Sequence, residues 1–162
     1  PENIKASYVE GRQSIVPELL KALDAKGYNI LFLPRYESDR DYAQGIKNIY
    51  IPKEAVNGLD ACYYADAILT GAGTMAREAA CLGVPSVSFF AGAHLLAVGQ
   101  SMVEAGKMFY SRDVQQIMHF LDNSRNSFFA SRGGGIAGLE RCKQVQQEIL
   151  DTLDKKIREY WA

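Results

Sequence analysis

The feature that most limits what this chain can fold into is an alternation. Short apolar runs, each cut off by a proline, a glycine or a polar stretch, are separated by stretches with apolar residues at helical spacing. That order gives a parallel sheet covered by helices, because parallel strands need a crossover between them. Lys5–Glu10 reads as a weak first strand ended by Gly11. Ser14 then caps a helix to Lys26, with Ile15, Val16, Leu19, Leu20 and Leu23 on one face, Pro17 in its first turn and Gly27 closing it. Further strands are expected at Asn29–Leu33, Asn48–Ile51, Ala67–Thr70, Ser86–Phe90 and Lys107–Tyr110. Helices are expected from Asn57 to Ala65, from the Gly71 turn to Gly83, near Leu95–Ala105, after Asp113, and along a final stripe of Ile136, Leu139, Val145, Ile149, Leu153 and Ile157. Arg35–Gly45 is a polar stretch, and residues 123–135, rich in Asn, Ser and Gly, read as a loop before the terminal helix. The expected fold is α/β, a Rossmann-like open parallel sheet of five or six short strands with helices on both faces.

Residues 1–162 fit one domain with a buried core of its own. A formal net charge of −1 argues against a general nucleic-acid binder, and the tyrosines do not interleave with a basic run. Cys62, Cys81 and Cys142 are scattered and odd in number, which reads as reduced thiols of a cytoplasmic protein, without disulfide or zinc site. No apolar run is long enough to span a membrane. The chain opens at Pro1 and not at methionine, from which a piece of a longer protein is expected.

The most informative stretch is Ala67-Ile68-Leu69-Thr70-Gly71-Ala72-Gly73-Thr74-Met75-Ala76-Arg77-Glu78-Ala79-Ala80. It passes from a buried strand through a glycine turn into a helix. Glycines permit positive φ and close approach of a ligand, and the first turn of a helix leaves N–H groups unpaired at the positive end of its dipole. Gly71, Ala72, Gly73 and Thr74 therefore form a candidate anion site suited to a diphosphate. Ala76, Ala79, Ala80 and Gly83 share a face that lets the helix lie close to the sheet. Thr74 and Glu78 share the outward side, where a carboxylate could accept hydrogen bonds from ribose. The same spacing also suits a plain tight turn with Glu78 as a solvated surface residue. The segment fits the dinucleotide pattern GxGxxA as well, but that pattern calls for an acid some 20 residues on, roughly where Phe89-Phe90-Ala91-Gly92-Ala93 stands. NAD binding is not expected.

The run "YADAILTGAGTMAREAACLGVPSVSF" resembles the C-terminal domain of the glycosyltransferase-B superfamily. It is similar there to UDP-N-acetylglucosamine 2-epimerases and to an uncharacterised family related to them, with the hallmark Gly-Gly-Thr-Met-x-x-Glu-Ala-Ala. The resemblance implies a UDP or UDP-sugar ligand whose diphosphate lies on the glycine turn, with Glu78 on the ribose. It also implies that the backbone of Ile51, in the pair Tyr50-Ile51, contacts uracil. A missing N-terminal domain would close over the site and supply the acceptor or the catalytic acid and base. The implied reaction is glycosyl transfer or 2-epimerisation of an N-acetylhexosamine nucleotide, with this chain inactive alone. No metal or further cofactor is implied, because backbone N–H groups and the helix dipole offset the phosphate charge. The rival is a non-catalytic nucleotide-binding or scaffold module.

After the strand that follows this helix, only His94 and Gln100 are polar enough to touch a donor sugar. His94 is a candidate acid or base, although a lone loop histidine is more often structural. Arg35, after a strand end, could face a phosphate or simply be solvated, and Arg12 lies where transferases face their acceptor. Phe128, Phe129 and Trp161 suggest an exposed apolar edge, from which association into homo-oligomers is expected.

Overall fold

Local signals place most of the elements. In a computed structural model, residues 13–128 and 134–161 are described, with side chains described for 13–124 and 140–160. The elements run α1 (Val16–Ala25), β1 (Ile30–Leu31), a 3-10 helix (Glu37–Ala43), β2 (Ile49–Tyr50), α2 (Gly58–Tyr64) and β3 (Ile68–Thr70). They continue with α3 (Gly73–Cys81), β4 (Ser86–Ser88), α4 (Ala97–Glu104), β5 (Phe109–Tyr110), α5 (Val114–Phe128) and α6 (Gly134–Trp161). The Ser14 hydroxyl accepts the Val16 N–H at 3.2 Å, one position before the start expected of a cap. Asn57 accepts the N–H groups of Leu59 and Asp60, and Asp113 those of Gln115 and Gln116, so both act as N-caps. At the end of α3, Gly83 takes a left-handed φ of +74°. Its N–H reaches Ala80 O and that of Val84 reaches Ala79 O, which turns the chain into β4.

All strand pairs are parallel: β1 with β2, and β3–β4–β5 in that order. The α/β class with parallel strands between helices, as in a Rossmann-like open sheet, is what the alternation predicts. The strands are shorter than expected, and the one expected at Lys5–Glu10 lies outside the described residues. Side-chain alternation along β4 identifies its two faces. The Ser86 hydroxyl donates to Ala76 O on α3 at 2.6 Å, whereas Val87, fully buried, packs in the main core with α1 and α5. Helices thus cover both faces of this sheet. The main core gathers Leu19 and Leu23 of α1, Phe32, Val87, Phe89, and Ile117 and Leu121 of α5, with the Phe109 and Phe120 rings stacked 4.7 Å apart beside it. A smaller cluster, Cys62, Ala79, Leu82 and Val84, binds α2 to α3.

Two expectations need correcting. The loop expected over 123–135 is helical as far as Phe128, and α6 begins at Gly134. A helix nucleated on buried Ile117 and Leu121 extends through Asn and Ser at only a few tenths of a kcal/mol per residue. The polar stretch after β1 contains the 3-10 helix, fixed by buried Asp39, whose carboxylate accepts the N–H groups of Arg35 and Tyr36. The terminal stripe is not covered by the described residues: Ile149, Leu153 and Ile157 are each more than half exposed, although α6 meets the domain at α3.

Candidate functional site

The glycine turn lies at the carboxyl end of β3. Thr70 is buried and its hydroxyl oxygen accepts the Ala72 N–H at 3.0 Å, which bends the chain from strand into helix. Ala72 is the N-cap of α3, with φ −103° and ψ 134°, and its methyl group cannot cap. The first N–H groups of α3 therefore lack a side-chain acceptor, whereas Asn57 and Asp113 supply one at α2 and α5. Positive φ was expected at this turn and is not used there; among the described residues it occurs at Gly27, Gly45, Gly83 and Gly106. An extended N-cap leading into a helix needs no left-handed residue, and Gly71 at this turn is buried.

Ala76 and Ala79 have no exposed surface, which sets α3 directly on the sheet, while Ala80 is half-buried and Gly83 exposed. Thr74 is exposed, as its position on the wheel requires. Glu78 is half-buried and not fully outward, because α2 flanks it and its charge is felt by the Cys62 thiol. One residue was missed. A Cβ on Gly73 would lie 3.6 to 3.9 Å from the Arg77 guanidinium, so that cation folds back along the start of α3. The signal was available, since Gly73 and Arg77 are four apart and helical side chains lean toward the N-terminus.

The other candidates are dispersed. Ile51 follows β2 and packs, half-buried, on the main core. Arg35 is exposed, with its guanidinium 5.9 Å from the centre of the Tyr36 ring. His94 is exposed, and Gln100 donates to Glu104 at 2.8 Å in a surface pair on α4. Arg12 lies outside the described residues. The stretch after β4 carries few polar groups for a packing reason. Ala91 and Gly92 are buried, the Phe90 ring lies where a Gly92 Cβ would stand, and the Tyr110 hydroxyl donates to Phe90 O. No cluster of three potential metal ligands occurs among the described residues.

Burial pushes the Cys62 thiol pKa above its ordinary value, and the Glu78 charge pushes it further the same way. A raised folded pKa means that the thiol's contribution to stability is complete below the unfolded thiol pKa and is lost as pH rises through the folded one. Wild-type protein is therefore expected to lose stability across that alkaline window more steeply than Cys62→Ala, as read by urea unfolding at stepped pH. Parallel profiles would mean that the thiolate is accommodated.

A family profile described as a protein of unknown function (DUF354) matches residues 1–152. The chain belongs to that family. It is also 30% identical over 120 residues to an uncharacterized protein of Methanocaldococcus jannaschii. That match takes in 74% of this DUF354 chain and 35% of the archaeal protein, so the chain spans about a third of that relative's length. No solved structure matches it. No helix among the described residues is long and apolar enough to cross a membrane.

Proposed function

We propose that this DUF354 domain binds UDP or a UDP-sugar at the carboxyl end of β3, as the nucleotide half of a two-domain glycosyltransferase or UDP-N-acetylhexosamine 2-epimerase-like enzyme. The observation that carries the reading is the passage from buried Thr70 through Gly71-Ala72-Gly73 into an uncapped helix at a strand's carboxyl end. That is where open parallel sheets bind phosphates. The likeness of the surrounding sequence to the glycosyltransferase-B superfamily supplies the choice of UDP. In this reading the backbone from Gly71 to Thr74 takes the diphosphate, Glu78 the ribose and the Ile51 backbone the uracil, with Arg35 and Gln100 lesser contributors.

The acid, base and acceptor come from a further domain. Titrating UDP at millimolar concentration into the chain is expected to give heat that saturates. Incubation with UDP-N-acetylglucosamine is expected to release no UDP and form no epimer. No saturable heat would end the nucleotide reading, and multiple turnovers would overturn the half-site. The exposure of His94 and the pairing of Gln100 with Glu104 favour, as a second reading, a nucleotide-binding module without catalysis. Turnover by the full-length protein separates the two.

A further inference from the structure

Two side chains at the glycine turn have no task in the fold. Ser88 ends β4 in register with Thr70, and its residue is 1% exposed. Ser86, two residues earlier and hence on the same face of the strand, donates to Ala76 O of α3. Ser88 therefore points to the α3 side as well. Its pairing with Thr70 sets it at the level where the chain enters that helix. Its hydroxyl makes no hydrogen bond among the described residues. The residue is nearly buried, yet its hydroxyl is not among the fully enclosed unpartnered atoms, so its proton is left open to an incoming acceptor. Beside it, the Thr70 hydroxyl uses its oxygen for the Ala72 N–H, and its proton has no acceptor among the described residues. Arg77, half-buried, holds its guanidinium against Gly73 without an ion pair or hydrogen bond to any described residue.

We infer that Ser88 and Arg77 complete the seat at the glycine turn and fit it to a terminal phosphate bearing two negative charges. This rests on the nucleotide reading above and narrows its ligand to a nucleoside diphosphate with a free end. The hydroxyls of Ser88 and Thr70 donate from the sheet side. The uncapped N–H groups of α3 donate along the helix axis, and Arg77 adds a full positive charge at the flank. A terminal phosphate has a second pKa of about 6 and is a dianion at neutral pH. In a diphosphate sugar each phosphate is esterified and carries one charge, so it gains less from the guanidinium.

The test is calorimetric titration of UDP, UDP-N-acetylglucosamine and pyrophosphate into the wild-type chain, Ser88→Ala, Arg77→Gln and Arg77→Lys, with a thermal melt of each. Wild type is expected to bind UDP about tenfold more tightly than the sugar nucleotide, a preference that fades as the pH falls below about 6. Arg77→Gln is expected to weaken UDP and pyrophosphate by about tenfold or more and to abolish the preference, with Arg77→Lys between. Ser88→Ala is expected to weaken both about three- to tenfold without a lower melting temperature. Wild-type binding of UDP with no change in either variant would overturn the inference and leave the nucleotide reading standing. Binding of pyrophosphate but not UDP, lost in Arg77→Gln, would uphold the seat and remove the nucleotide. Binding of neither ligand by wild type would remove both.

Discussion

Ile117→Ala is expected to lower the stability of the domain by about 3 kcal/mol, within a span of about 2–5 kcal/mol for such truncations. Ile117 has no exposed surface, and it lies in the cluster that joins α1, α5 and the centre of the sheet through Leu19, Leu20 and Val87. Neighbours on three elements cannot all collapse into the space left, so the cavity contribution adds to the lost burial. Urea unfolding should show a lower midpoint at an unchanged slope. A loss below about 1 kcal/mol would mean that α5 settles inward to fill the gap. The surface pair Lys26–Asp122 links the same two helices at 2.9 Å, and both side chains are well exposed. Breaking it should cost far less.

The second large effect is on affinity. Glu78→Ala is expected to weaken UDP by about ten- to hundredfold, which corresponds to about 1.5–3 kcal/mol for loss of a charged acceptor. The residue is half-buried, on the side of α3 away from Ala76 and Ala79, so no large cavity follows its removal. Calorimetric titration beside thermal melts tests this. Equal affinities would make Glu78 a surface residue, and a large fall in melting temperature would make it a structural one. The same substitution should bring the Cys62 thiol down toward its ordinary pKa without reaching it, because burial is the larger cause of its shift. Alkylation rate against pH reads that separately.

Where the sequence was legible, the cause was a local signal. Asn57 and Asp113 announce their helices because a short side-chain oxygen can reach backbone N–H groups only two or three residues on. The strands show as apolar runs, but pairing is confined to two or three residues of each, and no run of letters reveals where a ladder stops. The 3-10 helix after β1 was hidden because Glu37–Asp41 is polar throughout, and its support is one buried carboxylate, Asp39. The turn at Gly71–Gly73 was visible, whereas Ser88 was not. Its relation to Thr70 exists only once β3 and β4 are in register, although the polar-apolar-polar order of Ser86-Val87-Ser88 was a usable hint. The terminal stripe showed the helix correctly, but periodicity reports an apolar face and not what covers it.

The small residues that α3 sets on its sheet bear on any ligand at the turn. Ala76 and Ala79 contribute only methyl groups to that contact, and the Ser86 hydroxyl ties the helix backbone to β4. With Ile68 of β3 packed beside Ala79 and Leu82 as well, the helix is held closely at this contact and has little room to tilt. The N–H groups at its start are thus aimed before any anion arrives. Their ordering is completed when the chain folds, which leaves little of it to oppose association. A site of this kind should reject a misfitting anion instead of reshaping around it.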